Sequence, residues 1–229
     1  LNKTVEAQPA PPPEPVAPAF NVTGHVVMAE GVELPEPWNQ PVWTFTQAAA
    51  DGGKGAYIRT EYGANFKANF DKPGAMIATV ATDLAEVNVP ADLATGGTLA
   101  MEANLNAGIV QFKGFMDAAT PLSNDGAVWV ISRADGTYVG TDYGKGPRKL
   151  LSAGDYKVKL EDGQASAEQA FSVVAGQSVD VAITLGAGVV NYTATYDGAQ
   201  PAGDGVVVEL LKPADISGDK QRVSTEYGP

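Results

Sequence analysis

The chain reads as an all-β protein, a series of antiparallel β-sandwich modules behind a proline-rich linker. Three observations predict this. Residues 107–186 divide into short alternating segments closed by turn residues, without helical periodicity. The same plan precedes that stretch and starts again after it. A four-residue mark also recurs as Thr60-Glu61-Tyr62-Gly63, Thr141-Asp142-Tyr143-Gly144 and Thr225-Glu226-Tyr227-Gly228, at spacings of 81 and 84 residues. Self-similarity at a near-constant period marks a repeat architecture.

In chain order, residues 1–19 hold six prolines between Pro9 and Pro18, mixed with Ala and Glu. Such a segment cannot bury a core and favours an extended polyproline II spacer. The chain does not begin with Met, which predicts processing or a longer parent. Residues 20–106 form a divergent first module, in which Pro41-Val42-Trp43-Thr44-Phe45 stands where Val128-Trp129-Val130 stands in the second. Likewise Pro73-Gly74-Ala75-Met76 answers Ala153-Gly154-Asp155-Tyr156, and Gly96-Gly97 answers Ala175-Gly176.

The second module, 107–186, predicts about seven strands. Strands are expected over 108–115, over the apolar run 127–132, and over 137–141. Further strands are expected at 155–160, 167–174 and 178–185, with Tyr156, Val158 and Leu160 sharing the buried face. Asp135-Gly136 and Asp162-Gly163 supply hairpin turns. Both modules end on one junction, Leu105-Asn106-Ala107-Gly108 and Leu185-Gly186-Ala187-Gly188. Residues 187–229 then give half of a third module. It comprises a first strand (189–196), a turn (201–205), an apolar strand (206–211) and a hairpin return (221–227). A half-sandwich exposes a strand edge and an apolar face. Completion is expected from continued chain or from a strand of a protein partner.

The second module resembles the carboxypeptidase-regulatory-like, or transthyretin-like, family of Ig-like sandwiches. The resemblance is carried by Pro121-Leu122, Gly126-Ala127-Val128, Asp135-Gly136 and Ala153-Gly154-Asp155-Tyr156-Lys157-Val158. With Leu105-Asn106-Ala107-Gly108, the plan is similar to repeats trailing a von Willebrand A domain in some proteobacterial surface or periplasmic proteins. That resemblance implies a non-enzymatic structural, scaffold or adhesion-type role in the periplasm or at the cell surface. Related Gram-positive pilin modules carry a Lys–Asn isopeptide bond. None is expected here, because Lys113 is the only first-strand Lys of the second module and 178–185 offers no Asn.

Composition narrows the chemistry. With 27 acidic and 15 basic residues the net charge is −12, and no basic cluster occurs, which disfavours nucleic acid and anionic membranes. No apolar run is long enough to span a bilayer. There is no Cys and one His, His25, read as an ordinary strand residue; no His/Cys zinc site or Ser-His-acid triad follows. Asp125, Asp135, Asp162 and Asp204 each precede a Gly, one per turn, as turn geometry alone demands. Asp215-Ile216-Ser217-Gly218-Asp219 resembles the opening of the von Willebrand A metal motif but departs at its last position, so it too reads as a turn. No cofactor, metal or catalytic residue is predicted.

Trp43 and Trp129 are expected in the core. Trp38, between Pro37 and Asn39, is the one Trp expected to be exposed. In the recurring mark, Tyr is expected to pack at a sandwich edge while Gly turns the chain. Glycan or protein contact through Trp38, Tyr62, Tyr143 and Tyr227 is the functional alternative, as in a carbohydrate or cell-wall binding module. A third reading is an accessory subunit of a larger envelope assembly.

Overall fold

A computed structural model describes residues 20–196, 198, 200–201, 205–212 and 221–227. The linker at 1–19, Asp204, the 215–219 motif and Gly228 lie outside the described residues.

Alternating apolar residues build two stacked pairs of sheets. In the first, β1 (Val22–Ala29), β2 (Val32–Glu33), β5 (Asn65–Ala68) and β8 (Leu99–Asn104) form one sheet. β3 (Val42–Ala48), β4 (Lys54–Tyr62), β6 (Gly74–Thr82) and β7 (Ala85–Leu93) form the other, in the order β4-β3-β6-β7. β1 carries β8 in parallel and β5 antiparallel, and β2 pairs with its far end. The second pair repeats the plan with β9 (Ala107–Phe115), β12 (Arg148–Ser152) and β15 (Ser178–Thr184) in order β12-β9-β15. Its facing sheet joins β10 (Val128–Arg133), β11 (Tyr138–Tyr143), β13 (Gly154–Asp162) and β14 (Ala165–Val173) in order β11-β10-β13-β14. β9 again pairs in parallel with β15 and antiparallel with β12. These are β-sandwiches, each closed by its first and last strands lying side by side.

Burial alternates along the central strands, including β10, where the sequence shows a continuous apolar run. Trp43 and Phe45 of β3, and Trp129 and Ile131 of β10, are fully buried. Tyr156, Val158 and Leu160 of β13 face the second core together. In the first core Phe66 stands edge-on to Trp43, 4.9 Å between centroids, and Phe70 edge-on to Phe45 at 4.8 Å. In the second, Phe112 lies 5.3 Å from Trp129. Such aromatic pairs add to simple area burial.

Each core tryptophan also spends its N–H. The Trp43 indole donates to the carbonyl of Gly63 at 3.1 Å, and that of Trp129 to Gly144 at 2.7 Å. Those glycines end the recurring mark and take φ of 97° and 100°, a region that penalises a Cβ. The mark is therefore where the edge strand turns back and satisfies a buried donor.

Two expectations are corrected here. Arg148–Ser152 forms a strand that the sequence reading did not assign, because its Lys-Leu-Leu pattern lacks period-two alternation. In the third copy, only Thr195–Tyr196 (β16) of the expected 189–196 is strand, paired with β17 (Gln200–Pro201). Val189 and Val190 are exposed, since among the described residues nothing flanks them as β5 and β8 flank β1. The apolar strand and its return form as β18 (Val207–Leu211) and β19 (Arg222–Tyr227).

Replacing Trp129 by Phe removes the donor and leaves the half-buried Gly144 carbonyl without that partner. Urea denaturation is expected to show a loss of about 1–3 kcal/mol, with Trp43→Phe costing a similar amount.

Candidate functional sites: the joint between sandwiches and the tyrosine edge

The two sandwiches are not beads on a string. The turn between β6 and β7 places Asp83 at φ 50°, a left-handed conformation that Asp tolerates better than most residues. From there its carboxylate accepts from the Leu150 backbone N–H at 2.7 Å, the Trp38 indole at 3.2 Å and the Lys149 ammonium at 3.2 Å. Lys149 also reaches Asp142 at 2.5 Å, so the acidic residue of the second mark is tied into the contact. Next in the chain, Leu84 donates its N–H to the Leu150 carbonyl and forms a bridge with Leu151.

The Leu84 side chain rests on Gly140, where a Cβ would lie 3.0 Å from a Leu84 methyl. Gly140 thus leaves a notch for it. In return, Ala107, Ile109 and Leu150 of the second pair of sheets belong to the first core. Gly176 comes against Ala29 and Val32 as well.

Trp38, expected on the surface, is buried at this joint. Its backbone N–H closes a turn onto Pro35, its indole bonds Asp83, and the Arg148 guanidinium lies 5.1 Å over its ring. An indole with an acid for its N–H and a cation for its face gains more inside than in water. The sequence hid this because both partners are distant in the chain.

Lys149 experiences two opposed effects. Burial of the ammonium pulls its pKa down, and the Asp142 and Asp83 carboxylates outweigh that, leaving it above the ordinary 10.5. A raised folded-state pKa means the pair's contribution is in full force below the unfolded value. It is lost only as pH climbs through the folded value, above the usual lysine range.

The tyrosines of the mark occupy a different face. Pairing slips by one residue between Phe45 and Thr46 against β4, between Ile131 and Ser132 against β11, and between Leu210 and Leu211 against β19. Each slip is a bulge, at Ile58, Val139 and Val223 respectively. A bulge restores side-chain parity across three residues. Tyr57 therefore shares the outer face with Thr60 and Tyr62, and Tyr138 with Thr141 and Tyr143. The Tyr57 and Tyr138 hydroxyls each lie 3.1 Å from the Thr60 and Thr141 hydroxyls. Tyr62 and Tyr143 are each 66% exposed and Tyr227 is 80% exposed, so the expected packing of these rings against the sandwich does not occur. Each stands opposite an outward Val (Val42, Val128, Val207), which leaves the ring in water.

The remaining polar candidates have local partners. His25 sits on β1 with Nδ1 2.9 Å from Asn65 and Nε2 3.4 Å from Glu33. Asp135 accepts from the Thr137 backbone N–H, which lowers its pKa, and Asp162 accepts twice from the Asn124 amide. Lys113 pairs with Asp180 at 2.5 Å. Among the described residues no three His, Asp or Glu side chains converge to hold a metal, and no helix is long and apolar enough to cross a membrane.

The sequence matches no protein-family model, and no curated protein is similar to it. Solved structures it is similar to include the minor pilin GBS52 of Streptococcus agalactiae, at 12% identity and a TM-score of 0.39. The match covers 76% of this chain and 99% of that one. A streptococcal ancillary pilin matches at 10% identity and a TM-score of 0.34, over 90% of this chain and 82% of that one. The Bacillus anthracis TIE protein matches at 13% identity and a TM-score of 0.31 over 72% of this chain, which spans 33% of that protein's length. The assignment as a β-sandwich protein rests on the sheets and cores themselves.

Asp83→Ala removes one acceptor from three donors. It is expected to destabilise the full chain by roughly 2–4 kcal/mol in denaturant titration. In a double-mutant cycle with Lys149→Met, the coupling should be present at neutral pH and fade only above the lysine range.

Proposed function

We propose that the chain is a non-enzymatic structural segment, a stalk or scaffold of modules spanning 20–106, 107–186 and 187–229, working at the cell surface or in the periplasm. The joint is the observation that carries this reading. Loosely tethered domains meet through small wet contacts. Here Asp83 ties together the Trp38 indole, the Leu150 backbone and Lys149, and the first core takes in Leu150 and Ile109 from across the boundary. A joint of that kind resists bending, which is what a spacer needs and what a mobile catalytic cleft does not. The proline-rich composition of 1–19 is that of a spacer, which suits the same purpose. The resemblance of the second module to transthyretin-like repeats fits this reading.

A second reading has its own observation. In the third copy, Val207, Leu210 and Leu211 are exposed, although Phe45 and Ile131, at the position of Leu210 in the first two hairpins, are fully buried. That apolar hairpin suits a protein partner, as in an accessory subunit of an envelope assembly. Light scattering distinguishes the readings, since a stalk that stays monomeric at high concentration leaves this hairpin without a self-partner.

Residual dipolar couplings on the intact chain test the stalk. Amides of 22–104 and of 107–184 are expected to fit one alignment tensor, and Asp83→Ala with Gly140→Val should split them into two. Two independent tensors in the unaltered protein would remove the proposal.

A further inference from the structure

The joint exposes a difference between the two sandwiches at their β4/β5 and β11/β12 sides. On the second, the seat between Gly140 and Leu151 is filled by Leu84 of the first. By strand register Arg59 corresponds to Gly140, since Phe45 pairs with Arg59 and Ile131 with Gly140. On the first sandwich Arg59 fills its own seat. Its Nη1 donates to the Asn69 carbonyl at 2.6 Å, the guanidinium lies 4.9 Å over the Phe70 ring, and it is ion-paired with Glu61.

Beyond Arg59 the surface opens into a cavity of about 490 Å³, lined by Tyr57, Arg59, Phe70, Gln47, Asp71 and Lys72 among others. The second sandwich closes the matching space with larger groups. Gln47 and Met76 are a register pair, and their counterparts are Arg133 and Tyr156. The Arg133 guanidinium lies 4.5 Å over the Tyr156 ring, and the Tyr156 hydroxyl donates to Ser152.

We propose that this cavity at the free side of the first sandwich binds a neutral saccharide. Its size falls in the range of small-molecule sites. Tyr57 supplies an exposed ring whose hydroxyl lies 3.1 Å from that of Thr60, so the ring needs little further ordering to stack on a sugar. Gln47, Asp71 and Lys72 offer amide, carboxylate and ammonium groups suited to vicinal hydroxyls. Arg59 is already neutralised by Glu61, Asp71 and Lys72 are of opposite sign, and the chain carries net charge −12. The charge balance therefore favours an uncharged ligand over a polyanion. This inference goes beyond the stalk reading and stands or falls apart from it, because no joint residue lines the cavity.

The test uses amide chemical shifts of the full chain, titrated to millimolar concentration with the β-1,4 hexasaccharides of glucose, N-acetylglucosamine, xylose and mannose. At least one is expected to perturb the amides of 57–59 and 70–76. Tyr57→Ala should weaken that binding roughly tenfold. Gln47→Arg, which copies Arg133 and fills the space, should weaken it comparably. Tyr138→Ala, the matching change on the closed second sandwich, should leave it unchanged, and each variant's spectrum reports whether it folds. If none of the four sugars moves those amides, or if Tyr138→Ala weakens binding as much as Tyr57→Ala, the proposal fails.

Discussion

The hydrogen bond from a buried indole to the glycine that ends the neighbouring edge strand holds this architecture in register. In both sandwiches one tryptophan supplies the centre of the core and must place its single donor. A buried donor left without a partner costs about 1–3 kcal/mol. The edge strand therefore has to present a carbonyl at one height. Only a chain that turns sharply there, through a residue tolerant of positive φ, does so. Gly63 and Gly144 meet both demands, which accounts for the glycine that ends the mark in these two sandwiches.

That constraint also explains the bulges. The glycine end of the edge strand is pinned by tryptophan, and its other end enters from a hairpin. One extra residue between them is absorbed as a bulge, and the strand twists more strongly there. The slip places two tyrosines and a threonine on the outer face and turns Glu61 and Asp142 inward beside the tryptophans. From that position Asp142 reaches Lys149 and the joint, and Glu61 pairs with Arg59. One local irregularity thus serves edge protection, ring display and the charged contacts together.

Much of this was legible in the sequence, and what was missed has a common cause. An apolar run marked β10 and alternation marked β13, and Gly96-Gly97 and Ala175-Gly176 marked the turn that precedes each closing strand. The repeated mark aligns the three hairpins. Trp38 was misplaced because a loop tryptophan between Pro37 and Asn39 looks solvent-facing, and its partners lie 45 and 110 residues away. β12 was missed because its Leu150 and Leu151 serve different cores, so neighbours that normally alternate in burial are both buried. The cavity was invisible for a related reason. It exists through what Gln47 and Met76 fail to fill, and that shows only against Arg133 and Tyr156.

The joint carries a final consequence for how the modules are ordered. A uniform solenoid repeats its contacts at every boundary. Here the residues that dock are not repeated. Register places Gly163 and Gln164 where Asp83 and Leu84 stand, so the tail of the second sandwich lacks both the carboxylate and the leucine. The head of the first has Arg59 in place of the Gly140 notch and Ala68 in place of Lys149. Those differences remove the contact's own partners from both surfaces, and the Gly163–Gln164 turn instead lines a cleft with Leu210 and Ser224 of the third copy. Among the described residues the sandwich plan is copied while the side chains of this joint are not, so the contact is specific to the first two sandwiches.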